Sequence, residues 1–202
     1  MQLVLASGNH HKAAELQALA DRDRLGLQIV SARDVGGMPP VVEDTGSFLG
    51  NARKKALALQ TRLPAGSWVL ADDSGLCVDV LGGAPGVESA YYAGAAADPA
   101  ANLAKLAAIM REVPDGQRQA YFVCVLMVVG ADGIEQPFEG RCDGQLLREP
   151  RGETGFGYDP LFVPEGYSQS FAELGEATKN ILSHRSLAWA KFAQWFRIWF
   201  PQ

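Results

Sequence analysis

Two pairs of adjacent acids, Glu43-Asp44 and Asp72-Asp73, each follow apolar residues and stand just ahead of a glycine. Carboxylates so placed can bind a divalent cation through oxygen or move a proton. The second pair ends the apolar run Trp68-Val69-Leu70-Ala71, which reads as a buried strand delivering its acids to the strand's carboxyl end. Open α/β sheets place their ligands on that side. Successive strand side chains point to opposite faces, so both acids share one site only if the backbone turns, and Ser74-Gly75 is expected to supply that turn. Cations recur along the chain as Lys12, Lys55, Lys179 and the pair His184-Arg185. Lys12 follows the loop Ser7-Gly8-Asn9-His10-His11 at the start of a helix, a junction whose backbone N–H groups and dipole favour anions. His10 and His11 have no third ligand at metal spacing and read as loop residues. Phe156 and Tyr158 lie in the glycine-rich stretch 151–160, where aromatic rings suit stacking on a flat ligand such as a nucleobase.

The elements that must carry these groups follow from periodicity. Leu3 to Ala6 and Leu27 to Val30 read as short strands, with Ala13, Leu16, Leu19 and Ala20 at helical spacing between them. Phe48, Ala52, Ala56, Leu59 and Leu63 mark a second helix and leave Asn51 and Lys55 one turn apart on a neighbouring face. After the Asp72-Asp73 turn, Leu76, Val78 and Val80 alternate as the return strand of a hairpin. Residues 102–113 form an amphipathic helix, Tyr121 to Val129 a buried central strand with a hairpin partner from Ile134, Leu161 to Val163 another strand, and Leu187 to Phe196 a last helix capped by Ser183.

Composition bounds the answer. With 202 residues, 48% hydrophobic and 20% charged, the chain suits one soluble domain spanning 1–202, in one or two lobes. A formal net charge of −5 argues against a nonspecific grip on nucleic acid. The longest apolar run falls far short of the ~20 residues of a membrane helix. Cys77, Cys124 and Cys142 are isolated and suggest reduced thiols, so a cytoplasmic setting is expected.

Acids for Mg²⁺, lysines for phosphates and aromatics for a base together point to phosphoryl chemistry on a nucleoside triphosphate. At this point a resemblance becomes specific. Ser7-Gly8-Asn9-x-x-Lys12, Glu43-Asp44-Thr45-Gly46, Asn51-Ala52-x-x-Lys55-Ala56, Ala71-Asp72-Asp73-Ser74-Gly75-Leu76, Gly83-Ala84-Pro85-Gly86, Gly155-Phe156-Gly157-Tyr158-Asp159-Pro160 and Lys179-Asn180-x-x-Ser183-His184-Arg185 resemble the ordered motifs of the Ham1/RdgB family of inosine/xanthosine triphosphate pyrophosphatases. The resemblance implies an elongated mixed sheet flanked by helices, two lobes with a central active-site cleft, a homodimer, and Mg²⁺-dependent hydrolysis of ITP, dITP or XTP to monophosphate and pyrophosphate. It implies Asp73 as general base and metal ligand, helped by Asp44 or Glu43. Ser7, Gly8, Asn9, His10, His11, Lys12, Lys55 and Ser74 would hold phosphates and sugar; Phe156, Gly157, Tyr158, Asp159, Lys179, His184 and Arg185 would form the base side. Arg185, with His184, is expected to read the oxygen at position 6 of the purine. Two positions depart from the family pattern. Gly50 stands where the family usually carries Glu, and Tyr91 where bacterial members carry an Arg near the phosphates. A regulator that has lost turnover and a Maf-like pyrophosphatase acting on other nucleotides are the rival readings.

Overall fold

The computed structural model describes residues 1–201, and the side chains of His10 and Asp132 lie outside what it describes. Six strands, β1 (Gln2–Leu5), β2 (Gln28–Ser31), β3 (Val69–Val78), β4 (Gln119–Val129), β5 (Glu135–Leu146) and β6 (Phe162–Pro164), form one sheet in the order β2-β1-β3-β4-β5-β6. The sheet is mixed: β1 runs parallel to β2 and β3, and β6 antiparallel to β5. Among the described residues five α-helices accompany it: α1 (His10–Arg22), α2 (Phe48–Gln60), α3 (Pro99–Met110), α4 (Phe171–Leu182) and α5 (His184–Trp199). The expected α/β class with a mixed sheet and packed helices therefore holds.

The chain divides into two compact units, residues 1–73, 124–140 and 185–202 in the first and 74–123 with 141–184 in the second. In the first unit Leu3, Leu5, Leu70 and Leu126 of the strands pack with Leu16 and Leu19 of α1 and with Trp189 and Phe192 of α5. In the second, Leu76, Val78, Phe122 and Phe162 pack with Leu106 and Met110 of α3 and Phe171 of α4. No helix among the described residues is long and apolar enough to cross a membrane.

Local chemistry explains where the helices begin. Asn9, Ser47 and Asp98 each cap a helix through the side-chain oxygen, and Pro99 opens α3 at the position where its missing N–H costs nothing. Helix α4 was not anticipated from apolar periodicity, yet Ser170 and Glu173 form a reciprocal capping box that marks its start. It breaks at Gly175, whose φ of 74° is open to glycine but strained for other residues.

The expected hairpin at Asp72-Asp73 does not form. β3 runs unbroken from Val69 to Val78, so the acids lie mid-strand and Ser74-Gly75 is strand, not turn. Residues 79–81 that follow form a short 3-10 turn rather than the end of a return strand. A buried strand interrupted by two acids has the sequence pattern of two strands, which is why the alternation of Leu76 and Val78 suggests a second one.

One buried cation supports the second unit. Arg118 donates from Nε to Leu146 O (2.7 Å), from Nη1 to Met110 O (2.5 Å) and Val113 O (2.9 Å), and from Nη2 to Leu147 O. It thereby closes the carboxyl end of α3 onto β5. Arg118→Met keeps the length and removes every donor. A buried polar group left unpaired costs ~1–3 kcal/mol, so a loss of about 3 kcal/mol or more is expected in urea denaturation; a loss below about 1 kcal/mol would mean that water replaces the guanidinium.

Candidate active site

In the first unit, β3 sends its two consecutive acids to opposite faces, as a strand must. Asp72 is buried among cations. Its Oδ1 accepts from Lys12 Nζ of α1, and its Oδ2 from Arg185 Nε of α5 at 2.7 Å. The Cys124 thiol of β4 also donates to Oδ2 at 3.4 Å. Burial opposes the Asp72 charge, but Arg185 and Lys12 outweigh it and hold the carboxyl well below the usual carboxylate range. Arg185, 1% exposed, donates further from Nη1 to Glu15 Oε2 at 2.7 Å. Lys12, Asp72, Arg185 and Glu15 thus form one charge-balanced chain across α1, β3 and α5.

The other face is less fully compensated. Lys55 Nζ of α2 donates to Asp73 Oδ1 at 2.6 Å and to Glu43 Oε2 at 3.1 Å. Asp73 Oδ2, though buried, has no hydrogen-bond partner among the described residues. Burial pushes the Asp73 carboxyl up, Lys55 pulls it down, and the like charge of Glu43 pushes it up again, leaving it at about 6. Lys55 is itself raised: burial disfavours its charge, but Asp73 and Glu43 overcome that. One strand therefore carries a carboxylate that stays ionised beside a carboxylate poised near neutrality, the separation that acid–base sites use.

Of the two acids ahead of α2, the structure brings Glu43 to Asp73 and Lys55. Asp44 is exposed and turned to Lys54 Nζ at 2.6 Å, so it does not join the pair. The loop ahead of α1 also differs from expectation. Asn9 Oδ1 accepts from His11 N (2.9 Å) and Lys12 N (3.4 Å), and Ser7 Oγ from Asn9 N (3.1 Å), so these amides are already bonded and not open to an anion. His11 is exposed, and the His10 side chain lies outside the described residues. A cation that no motif signalled, Arg33, sits here: a Cβ placed on Gly8 would lie 3.3 Å from its Nε.

In the second unit, Asp159 organises the glycine-rich loop. Its Oδ2 accepts from Phe156 N (2.8 Å) and from Lys179 Nζ (2.6 Å). Gly155 has φ 80° and no room for a side chain, since a Cβ would fall 2.3 Å from that same oxygen. Lys179 Nζ also lies 4.7 Å over the Phe156 ring, a cation–π contact, and Phe156 is 37% exposed. Gly157 takes φ 62° and turns the chain inward. Tyr158 was expected beside Phe156 as a stacking ring. It is instead core: 5% exposed, packed with Leu161 and Phe162, its hydroxyl donating to Ser89 O at 2.8 Å. His184 is buried too, its ring stacked on Phe122 with centroids 4.7 Å apart. Ser74, half-buried, continues β3, and Tyr91 is exposed.

The fold is that of Ham1 proteins of known structure. The chain matches the Ham1 protein of Coxiella burnetii with a TM-score of 0.86 at 34% identity, over 98% of this chain and 99% of that one. The Staphylococcus aureus Ham1 protein gives 0.84 at 31% identity, over 98% of each. A model of the Ham1 family matches residues 3–195, and the chain belongs to the Ham1 family. It is 62% identical to a dITP/XTP pyrophosphatase of Opitutus terrae over 201 residues, covering 98% of this chain and 99% of that one. A dITP/XTP pyrophosphatase of Desulforamulus reducens is 47% identical over 191 residues, 95% and 93% of the two chains.

Arg185 is clamped by two carboxylates, so its loss should be felt in the fold as well as at any ligand. Arg185→Met leaves Asp72 buried with Lys12 as its remaining cation, and breaking such a buried pair costs about 3–5 kcal/mol. Urea denaturation is expected to show a loss of that order. Unchanged stability would mean that the guanidinium is held there for a ligand alone.

Proposed function

We propose that this protein hydrolyses abnormal purine nucleoside triphosphates, ITP, dITP and XTP, to the monophosphate and pyrophosphate in the presence of Mg²⁺, and so clears them from the nucleotide pool. The observation that carries the reading is Asp73: a buried carboxyl with one oxygen on Lys55, the other without a partner among the described residues, and Glu43 alongside. Membership of the Ham1 family and 62% identity to a dITP/XTP pyrophosphatase support it.

What supports Mg²⁺ is a pair of oxygen donors, the Asp73 Oδ2 that has no partner among the described residues and Glu43 beside it, suited to an ion that takes one or two carboxylates and completes its shell with water and phosphate oxygens. Asp73 and Glu43 would hold it. Bound Mg²⁺ would neutralise phosphate charge and ease loss of a proton from water.

In this reading Asp73 accepts the proton of the attacking water as the anhydride between the α- and β-phosphoryl groups breaks and pyrophosphate leaves. A carboxyl at about 6 is mostly ionised at neutral pH, yet basic enough to take a proton. Lys55, held charged by its two carboxylates, supplies positive charge for the phosphates, while Lys12 is taken up by Asp72 on the other face of β3. Ser7 and Ser74 take phosphate and sugar through their hydroxyl groups, since the Asn9, His11 and Lys12 amides are already bonded. On the base side, Phe156 offers its exposed ring and Lys179 can only donate hydrogen bonds, while Arg185 is taken up by Asp72 and Glu15. Hypoxanthine and xanthine present an acceptor oxygen at position 6, whereas adenine presents a donor, and a donor facing a donor leaves a buried group unpaired at ~1–3 kcal/mol. The homodimer and the cytoplasmic setting belong to the same reading.

A panel of ITP, dITP, XTP, GTP and ATP with Mg²⁺, scored by pyrophosphate release, tests the function. The abnormal nucleotides are expected to exceed ATP and GTP clearly in kcat/KM, and Asp73→Asn to lose at least ~10²-fold in turnover, the low end of what a positioned base contributes. Equal kcat/KM for ITP and ATP would defeat the selectivity, and more than about a tenth of turnover retained by Asp73→Asn would defeat the role of Asp73.

A further inference from the structure

Resting on the reading of Glu43 and Asp73 as the Mg²⁺ carboxylates, we propose that Gly50, Thr45 and Asn51 form a latch that sets Glu43 in place, which makes Thr45 and Asn51 positioning residues for the metal. Residues 37–47, which carry Glu43, belong to no helix or strand, so no backbone ladder fixes that carboxylate. Its segment is tied down two residues later. Asn51 Oδ1 accepts from Thr45 N at 3.2 Å and from Thr45 Oγ1 at 2.8 Å. A backbone N–H can only donate, so the amide oxygen must be the atom that faces Thr45, and the orientation of Asn51 is fixed. Asn51 is itself fully buried on α2, one helical turn ahead of Lys55. The amide therefore links the Glu43 segment to the same helix face that delivers Lys55 to Glu43 and Asp73.

Gly50 completes the arrangement. A Cβ at this position would lie 2.3 Å from Thr45 Oγ1, 2.7 Å from Thr45 Cβ and 2.9 Å from Ser47 Oγ. Thr45 thus occupies the space that any other residue at 50 would fill. Glycine inside a helix is ordinarily a weakness that alanine relieves. Here the missing side chain is the seat of the threonine, and alanine must push Thr45 off Asn51. Gly50 stands where the resemblance places a Glu, and the space it leaves holds the threonine side chain that anchors the segment.

The test uses Gly50→Ala, Thr45→Val, Thr45→Ser and Asn51→Ala in the full chain. Mn²⁺ binding followed by the free-ion electron paramagnetic resonance signal gives a readout independent of turnover, and the Mg²⁺ concentration for half-maximal ITP hydrolysis gives a second. Groups that orient metal ligands are typically worth 10–100-fold in metal affinity. Gly50→Ala and Thr45→Val are expected to weaken Mn²⁺ binding and raise the half-saturating Mg²⁺ by roughly tenfold, with kcat at saturating Mg²⁺ changed far less. Thr45→Ser, which keeps the hydroxyl, is expected to stay near wild type. Asn51→Ala should show the largest effect, and if it does not fold the other variants decide. Wild-type Mn²⁺ affinity and Mg²⁺ dependence in both Gly50→Ala and Thr45→Val would overturn the latch alone. A wild-type enzyme that turns over without a divalent ion would overturn the metal reading and the latch with it.

Discussion

Two ionisable side chains adjacent in sequence, in the middle of a buried strand, cannot share one set of counter-charges. β3 sends Asp72 to one face and Asp73 to the other, and each face must answer a buried carboxylate separately, because an uncompensated one is expensive in an apolar interior. The first unit is built to that demand. α1 brings Lys12, α5 brings Arg185, and Glu15 balances the extra cation, so Asp72 ends fully paired. α2 brings Lys55 to the face of Asp73, with Glu43 as a competing acid. The difference between the two acids lies in their surroundings and not in their chemistry.

That difference divides structural work from reactive work. Asp72 joins three elements through charge-assisted bonds that are strong because they are dry. Asp73 keeps an oxygen without a partner among the described residues and a raised proton affinity, features that stability alone would remove. The second unit shows the same economy at Asp159, where a single carboxylate oxygen takes both a backbone N–H and Lys179 and so holds the loop and the cation together. Gly155 is required there because that oxygen fills the space of a side chain.

Much of this was legible in the sequence, and the failures share a cause. Strands β1, β2 and β4 and helices α1, α2 and α5 follow from apolar periodicity because each presents one face to a core. The acids, lysines and glycine-rich loop were visible as types and spacings. What periodicity could not show was direction. It read Asp72-Asp73 as a turn because two acids in a buried strand break the apolar pattern, and only Lys12, Arg185 and Lys55, far off in sequence, make an unbroken strand affordable. It placed Tyr158 on the surface because glycines surround it, whereas the turn at Gly157 drives the ring inward to Ser89. Glu15 and Arg33 carry no local signal, since each gains meaning from a neighbour more than a dozen residues away. The start of α4 was signalled by Ser170 and Glu173, but by its cap and not by its apolar stripe.

The central claim is that the fold leaves Asp73 under-compensated while fully pairing Asp72. The sign of the consequence is fixed. A carboxyl whose folded value, about 6, exceeds its ordinary 3.8 favours the folded state while protonated, and that contribution is lost as the pH rises through the folded value in metal-free protein. Mg²⁺ binds the ionised form and should pull the titration back down. Carbon-13 NMR of the aspartate carboxyl groups, followed across pH without metal and then with Mg²⁺, reads this directly. The expected result is an Asp73 midpoint near 6 that falls on adding Mg²⁺, with Asp72 remaining ionised well below 3.8. An Asp73 that titrates at or below 3.8 and ignores Mg²⁺ would contradict it.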